Sequence, residues 1–213
     1  MKQGRELSFV LVLPIRKNTM NPTDTQLIER HKTGDTEAFP LLMKRYLKPT
    51  YHFAFQFTHE QASAEDITQD AFIKAWKHLD RFNTEKKFKT WIFAITKNTA
   101  YDFLKKKKTI PFSAFENDDG NNPIEAIDDE KLLPDALFEK KEIAATLAQA
   151  LEKITPNNRI ILTLRYLEDF SLEEISEILG EPYNTIKSRH GRALKSLKDV
   201  ILRDDASQGT KAS

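Results

Sequence analysis

The feature that most restricts how this 213-residue chain can fold lies in its middle. Between Ser113 and Asp135 stand eight acidic residues, Glu116, Asp118, Asp119, Glu125, Asp128, Asp129, Glu130 and Asp135, against the single base Lys131, around a centre that reads NDDGNNP. So much like charge among turn formers cannot bury enough apolar surface to order itself, and residues 109–134 have the composition of a linker. The chain is thereby divided into two pieces, each of a size to build one small core. On both sides helix signals recur and no convincing period-2 alternation appears. The expected fold class is all-α: two small helical domains joined by an acidic flexible linker.

The net charge of +1 hides a pattern. From Lys86 to Lys108 there are eight lysines against Asp102 alone, and from Tyr183 to Lys198 five Lys or Arg and no acid. Two basic segments separated by an acidic one suit two polyanion-binding surfaces and a linker that avoids the polyanion. The chain has no cysteine, which excludes disulfide scaffolds, Cys-based zinc sites and thiol chemistry, and fits a reducing compartment. No apolar run approaches the roughly 20 residues that span a bilayer, and SFVLVLP is too short for a signal core, so the expectation is a cytoplasmic chain without membrane insertion. Asp118, Asp119, Asp128 and Asp129 could suggest a magnesium enzyme. Carboxylates on a turn-rich linker have no fixed geometry and no accompanying base, and that reading is set aside.

Before the linker, Asp24 to Lys32 reads as a short helix stopping near Gly34, and Asp35 can cap the next, which runs to about Leu47. Pro40 would lie in its second turn, where proline kinks or shortens a helix, and Pro49 would open a further helix through TYHFAFQF. Ser63-Ala-Glu-Asp66 is a variant capping box before ITQDAFIKAWKHL, in which Ile67, Ala71, Phe72, Ala75, Trp76 and Leu79 make an apolar face. Asp66, Gln69, Asp70 and Ile73 form the opposite edge. After a turn at RFNTEKK comes TWIFAITKNTAYDFLKKKK, with Phe88, Trp91, Ile92, Ile95 and Thr99 inward and Thr90, Lys97, Asn98, Tyr101 and Lys105 elsewhere on the wheel.

After the linker, helices are expected over Asp135 to Lys153, Asn157 to about Glu168, Ser171 to Leu179 and Asn184 to about Leu202. Ser171-Leu-Glu-Glu174 is a capping box, Gly180 suits a C-terminal cap, and GEPYN is a short turn into a basic helix. This is a helix-turn-helix. In the last helix Ile186, Ala193, Leu194 and Leu197 face the core, His190 packs at its margin, and Lys187, Ser188, Gly191, Arg192 and Lys195 lie on the other side. Lys187, Ser188 and Arg192 are donors placed to reach base edges or phosphates from a major groove.

Together AEDITQDAFIKAWKHLDRF, FKTWIFAITKNTAYDFLKKKK and ILTLRYLEDFSLEEISEILGEPYNTIKSRHGRALKSL resemble, in order and spacing, the extracytoplasmic-function group of bacterial sigma factors. The resemblance covers about residues 23 to 202. It implies an N-terminal extension (1–22), a promoter −10 domain (23–108), the linker (109–134), a −35 helix-turn-helix domain (135–204) and a tail (205–213). It implies partners rather than catalysis: core RNA polymerase, promoter DNA and an anti-sigma factor, with no small-molecule substrate, cofactor or metal. Asp66, Gln69, Asp70 and Ile73 match the edge that docks on the clamp of the polymerase's largest subunit. Asn98 matches a position that helps receive a flipped −10 base, and the loop from Arg81 to Lys89 matches the variable loop completing that pocket. Phe93, Lys97, Tyr101, Lys86, Lys87, Lys105, Lys106, Lys107 and Lys108 complete the −10 set, whereas Trp91 belongs to the core. Asn184, Thr185, Lys187, Ser188, Arg189, Arg192 and Lys195 make the −35 set. Gly191 departs from the family, which often has a larger contacting side chain there. A two-domain helix-turn-helix regulator that is not a polymerase subunit is the rival reading. It would need a sensing domain, commonly with βα alternation, and this N-terminal half is helical throughout.

Overall fold

A computed structural model of the chain describes residues 21–107 and 149–209. Lys108, the linker and most of the expected helix from Asp135 lie outside the described residues. Seven α-helices are named in chain order: α1 (Asp24–Lys32), α2 (Ala38–Thr58), α3 (Gln61–His78), α4 (Phe88–Lys107), α5 (Pro156–Leu162), α6 (Leu172–Leu179) and α7 (Tyr183–Gly209). Residues 149–152 are also helical, and the described residues contain no strand.

Thr23 and Gln26 close a reciprocal capping box on α1, and Asp24 at its start holds Arg45 and the Tyr46 hydroxyl of α2. The next helix departs from expectation at both prolines. It begins at Ala38, so Pro40 stands in the first turn, where a backbone N–H has no helical partner to lose. Asp35 instead accepts from the Glu37 N–H at 2.9 Å and shapes the turn before the helix. Pro49 lies inside α2, which continues through it to Thr58. The Thr50 hydroxyl donates to the Tyr46 and Leu47 carbonyls at 2.7 and 3.1 Å, next to the missing bond. Burial of Tyr46, Thr50, Phe53 and Phe57 along one face holds the helix on course.

α3 starts at Gln61, two residues before the expected cap, and Ser63 lies buried within it. Its apolar face is Ile67, Ala71, Phe72, Ala75 and Leu79, as expected, but Trp76 is 55% exposed. Trp76 follows Ile73 by three residues and so belongs to the outer edge of the helix. α4 is buried on more than one side, with Phe88, Thr90, Ile92, Phe93, Thr96, Lys97, Thr99, Ala100 and Leu104 all buried. A helix of this kind must be covered on more than one side. α2 and α3 cover one side, and α6 covers another.

After α5 the chain widens into one π turn, Thr163–Leu167, closed by the Glu168 N–H on the Thr163 carbonyl at 3.0 Å, so the expected helix to Glu168 is not uniform. Ser171 and Glu174 form their capping box around the start of α6, and Gly180 ends it with φ +70, in the left-handed region. α7 runs to Gly209, past the expected end near Leu202, since no glycine or proline intervenes. One apolar core runs from Leu27 and Leu42 through Phe53 and Phe93 to Phe170, Ile175 and Ile186, crossing both halves of the chain. A smaller cluster of Ala150, Ile154, Leu162, Ala193, Leu194 and Leu197 steadies α7.

Proline in a helix interior costs up to about 3 kcal/mol relative to alanine. Pro49→Ala should therefore stabilise the chain by a sizeable part of that amount, read as a higher urea midpoint. An unchanged or lowered midpoint would show that the proline is compensated in place.

Candidate nucleic-acid interface

Each basic segment forms a helix whose faces have different neighbours. On α4, Asn98, Asp102, Lys105 and Lys106 are exposed, at spacings that make one solvent-facing stripe. Lys74 of α3 flanks it, donating to Thr99 at 3.0 Å and standing 3.5 Å from Asp102. Lys105, Lys106 and Lys107 occupy the last turn, where cations complement the helix dipole, and Lys107 also reaches Glu60 and Ser63. Before α4, the loop carrying Lys86 and Lys87 is exposed. Phe82 and Phe88 anchor its ends and pack with Trp91, with Phe82 and Trp91 centroids 4.8 Å apart.

Other expected contact residues point away from solvent. Phe93 is fully buried, its ring 5.1 Å from Phe53 and 4.9 Å from Phe170. Lys97 is buried and donates to the Leu179 carbonyl at 3.1 Å, and burial holds its ammonium below the ordinary lysine pKa. Tyr101 packs edge-on against Phe57 with Lys97 over its ring, and burial pushes its phenol up to about 12, assisted by Glu181. Lys87, though exposed, pairs with Glu174 at 2.8 Å. Lys89, unremarked in the sequence beyond its place in the loop, reaches the Glu168 carbonyl and lies 4.4 Å above the Phe170 ring. Nothing in the sequence pairs residues so far apart along the chain. Glu174 reads there only as a cap.

On α7, Asn184, Lys187, Ser188 and Lys195 are exposed, and Thr185 and Arg192 are half-buried. Arg189 is buried, bound to Glu181 at 2.7 Å. His190 is buried as expected, sharing a 3.1 Å hydrogen bond with the Tyr166 hydroxyl. Gly191 faces open space: a Cβ built there meets nothing within 4 Å. Among the described residues no group of His, Asp and Glu is arranged to hold a metal ion, and no helix is long and apolar enough to cross a membrane.

A further junction between the halves lies at the end of α2. Arg159 of α5 donates to the carbonyls of Leu151, Glu152 and Ile154 and, at 2.7 Å, to Nε2 of His59. Burial, then the Arg159 charge, hold the imidazole pKa below its ordinary value, with Glu152 opposing. The fold thus favours neutral His59. Its contribution is complete above about pH 6.5 and is lost as pH falls through the depressed native value. Thermal stability should drop between about pH 7 and pH 5 more steeply in the parent than in His59→Asn, since asparagine tolerates the left-handed backbone at this position (φ +52). Parallel pH profiles would remove His59 as the source.

Known proteins place this architecture. Residues 42–110 match the family described as Sigma-70 region 2, and residues 144–197 match Sigma-70, region 4. The chain is 32% identical to the RNA polymerase sigma-H factor of Pseudomonas aeruginosa, covering 84% of this chain and 93% of that one. It is 31% identical to the ECF RNA polymerase sigma factor SigW of Bacillus subtilis, covering 82% and 94%. With the ECF RNA polymerase sigma-E factor of Escherichia coli it shares 30% identity, covering 84% and 94%. Among solved structures, the sigma factor RpoE of Bartonella quintana, in complex with the anti-sigma factor NepR, superposes with a TM-score of 0.56 at 25% identity, covering 78% and 98%. CnrH, in complex with the cytosolic domain of CnrY, shares the fold at a TM-score of 0.59 and 22% identity, covering 85% and 98%. These relatives are sigma factors, which are not enzymes. Helical throughout its two described segments, with region 2 matched at residues 42–110 and region 4 at 144–197, this protein belongs to the extracytoplasmic-function group of sigma-70 family RNA polymerase sigma factors.

Proposed function

We propose that this sigma factor docks on core RNA polymerase through the outer edge of α3 and reads promoter DNA with α4 and α7. The observation that carries the first assignment is the exposure of large apolar side chains beside acids. Asp66, Gln69, Asp70, Ile73 and Trp76 line one exposed edge, next to an apolar groove formed by Phe39, Met43, Leu47 and Phe72. Ile73 is 49% exposed and Leu47 48%, which the folded chain alone has no use for. An apolar strip with charged neighbours suits a protein partner, and the polymerase clamp is the partner the family implies. Asp66→Ala combined with Gln69→Ala should weaken capture of core polymerase by about tenfold or more while leaving the helical spectrum unchanged. Undiminished capture would reject this edge.

The exposed stripe of α4 suits the −10 element. Asn98 offers a donor and an acceptor to an unstacked base, and Lys105, Lys106 and Lys107 supply cations for the backbone beside it. On α7, Asn184, Lys187, Ser188 and Lys195 are the accessible members of the −35 set, and Arg192 lies half-buried among them. Lost base contacts typically cost about 1–3 kcal/mol. Asn98→Ala should flatten preference at one −10 position and reduce permanganate-reactive open complex, with polymerase binding retained. Unaltered base preference would take Asn98 out of the specificity site.

The complex of RpoE with NepR supports an anti-sigma partner for this chain too. The same reading assigns the protein to the cytoplasm, where its polymerase and promoters are, and gives it no catalytic activity, cofactor or small-molecule substrate of its own.

A further inference from the structure

The exposed stripe of α4 contains one residue that a surface for phosphates alone would not carry. Asp102 is the only acid among the eight lysines from Lys86 to Lys108, yet it stands one turn after Asn98 and one turn before Lys105 and Lys106, on the face turned to solvent. Stability does not account for it. Aspartate is among the poorer helix formers, and its ion pair with Lys74 of α3, at 3.5 Å, is exposed on both sides, 67% for Asp102 and 44% for Lys74, where such pairs contribute little. What the pair does is fix a place. Lys74 also donates to the buried Thr99 hydroxyl at 3.0 Å, and Thr99 in turn donates to the Ile95 carbonyl at 2.8 Å. The ammonium is thereby anchored on α4, and it holds the carboxylate on the same stripe as Asn98.

We propose that Asp102 is a specificity-determining residue of the −10 contact, an acceptor-only group that selects a base by its exocyclic amine, and that Lys74 is the residue that positions it. The proposal rests on the assignment of α4 to −10 DNA. An ionised carboxylate can only accept hydrogen bonds and repels phosphate, so at a DNA surface it suits a base edge and not the backbone. In the major groove cytosine presents an N4 amine and adenine an N6 amine beside its N7 acceptor, whereas guanine and thymine present acceptors. Asp102 therefore favours cytosine, admits adenine and rejects guanine and thymine on the strand it faces. Asn98 offers both a donor and an acceptor and does not discriminate on this ground. Four residues of helix, about 6 Å along its axis, separate the two side chains, so Asp102 meets a base pair within about two steps of the base assigned to Asn98.

Core polymerase reconstituted with the full chain provides the test, with transcription measured over promoters bearing each base at every −10 position. The parent should prefer cytosine to guanine or thymine at one position by at least about fivefold, and Asp102→Ala should bring that preference below about twofold, as for loss of one base contact. The same variant should bind DNA of unrelated sequence more tightly, the opposite of what loss of a lysine does, with the urea midpoint of the free chain unchanged. Asp102→Asn, which adds a donor, should admit guanine and thymine while keeping cytosine. Lys74→Met should weaken the preference at that same position, and Lys74→Arg should restore it. Base preferences unchanged in both Asp102→Ala and Asp102→Asn would overturn the proposal, as would a parent that nowhere in the −10 element prefers cytosine to guanine and thymine. A Lys74→Met chain with a lowered urea midpoint but intact base preference would overturn the positioning role. Failure of the underlying DNA assignment has a separate signature, namely Asn98→Ala with unaltered −10 preference and Lys105→Ala with unaltered DNA affinity and salt dependence.

Discussion

Burial of α4 on two sides is the constraint from which the rest of the molecule follows. Phe93 sits between Phe53 of α2 and Phe170 of the helix-turn-helix, and full burial of such a ring stabilises by roughly 1.5–3 kcal/mol. The same helix buries Ile92, Ala100 and Lys97 and leaves a single polar stripe, Asn98, Asp102, Lys105 and Lys106, to solvent. The small core of each half is completed by the other. For pieces of this size, which bury little surface alone, a shared core is the available route to stability.

Electrostatics reinforces that packing without dominating it. Lys89 and Lys97 of α4 meet carbonyls of the second half, and Lys87, just before α4, meets the Glu174 carboxylate in a pair largely exposed on the lysine side, where solvent and salt weaken it. Lys97 is different. Its ammonium is desolvated and held by a backbone carbonyl, so it gains little from the pair and would gain from re-exposure. The contact is apolar at its centre and only partly satisfied in charge at its rim.

What could be read in the sequence follows the range of the interactions concerned. The caps at Ser171, Glu174 and Gly180 depend on residues three to nine apart, and the helix-turn-helix was legible from them. The core face of α3 was legible from its period, except where Trp76 shares the edge of Ile73. Pro49 misled because the tertiary burial of its neighbours outweighs the local cost of a missing N–H. Phe93, Lys97 and Arg189 read as accessible because the residues that cover or hold them either lie beyond the linker or have another evident local use. The exposure of Asn98, Lys187 and Ser188 was legible since a helical wheel suffices to place them.

Gly191 gives the recognition helix an unused degree of freedom. Glycine weakens a helix by about 1 kcal/mol relative to alanine, and nothing crowds this position to demand it. A Cβ could be installed there without repacking the core, and alanine would strengthen the helix. If α7 reads DNA as proposed, the position is a place where the contact set can change in a single step, since the scaffold imposes no penalty on a Cβ that a second, compensating substitution would have to repair.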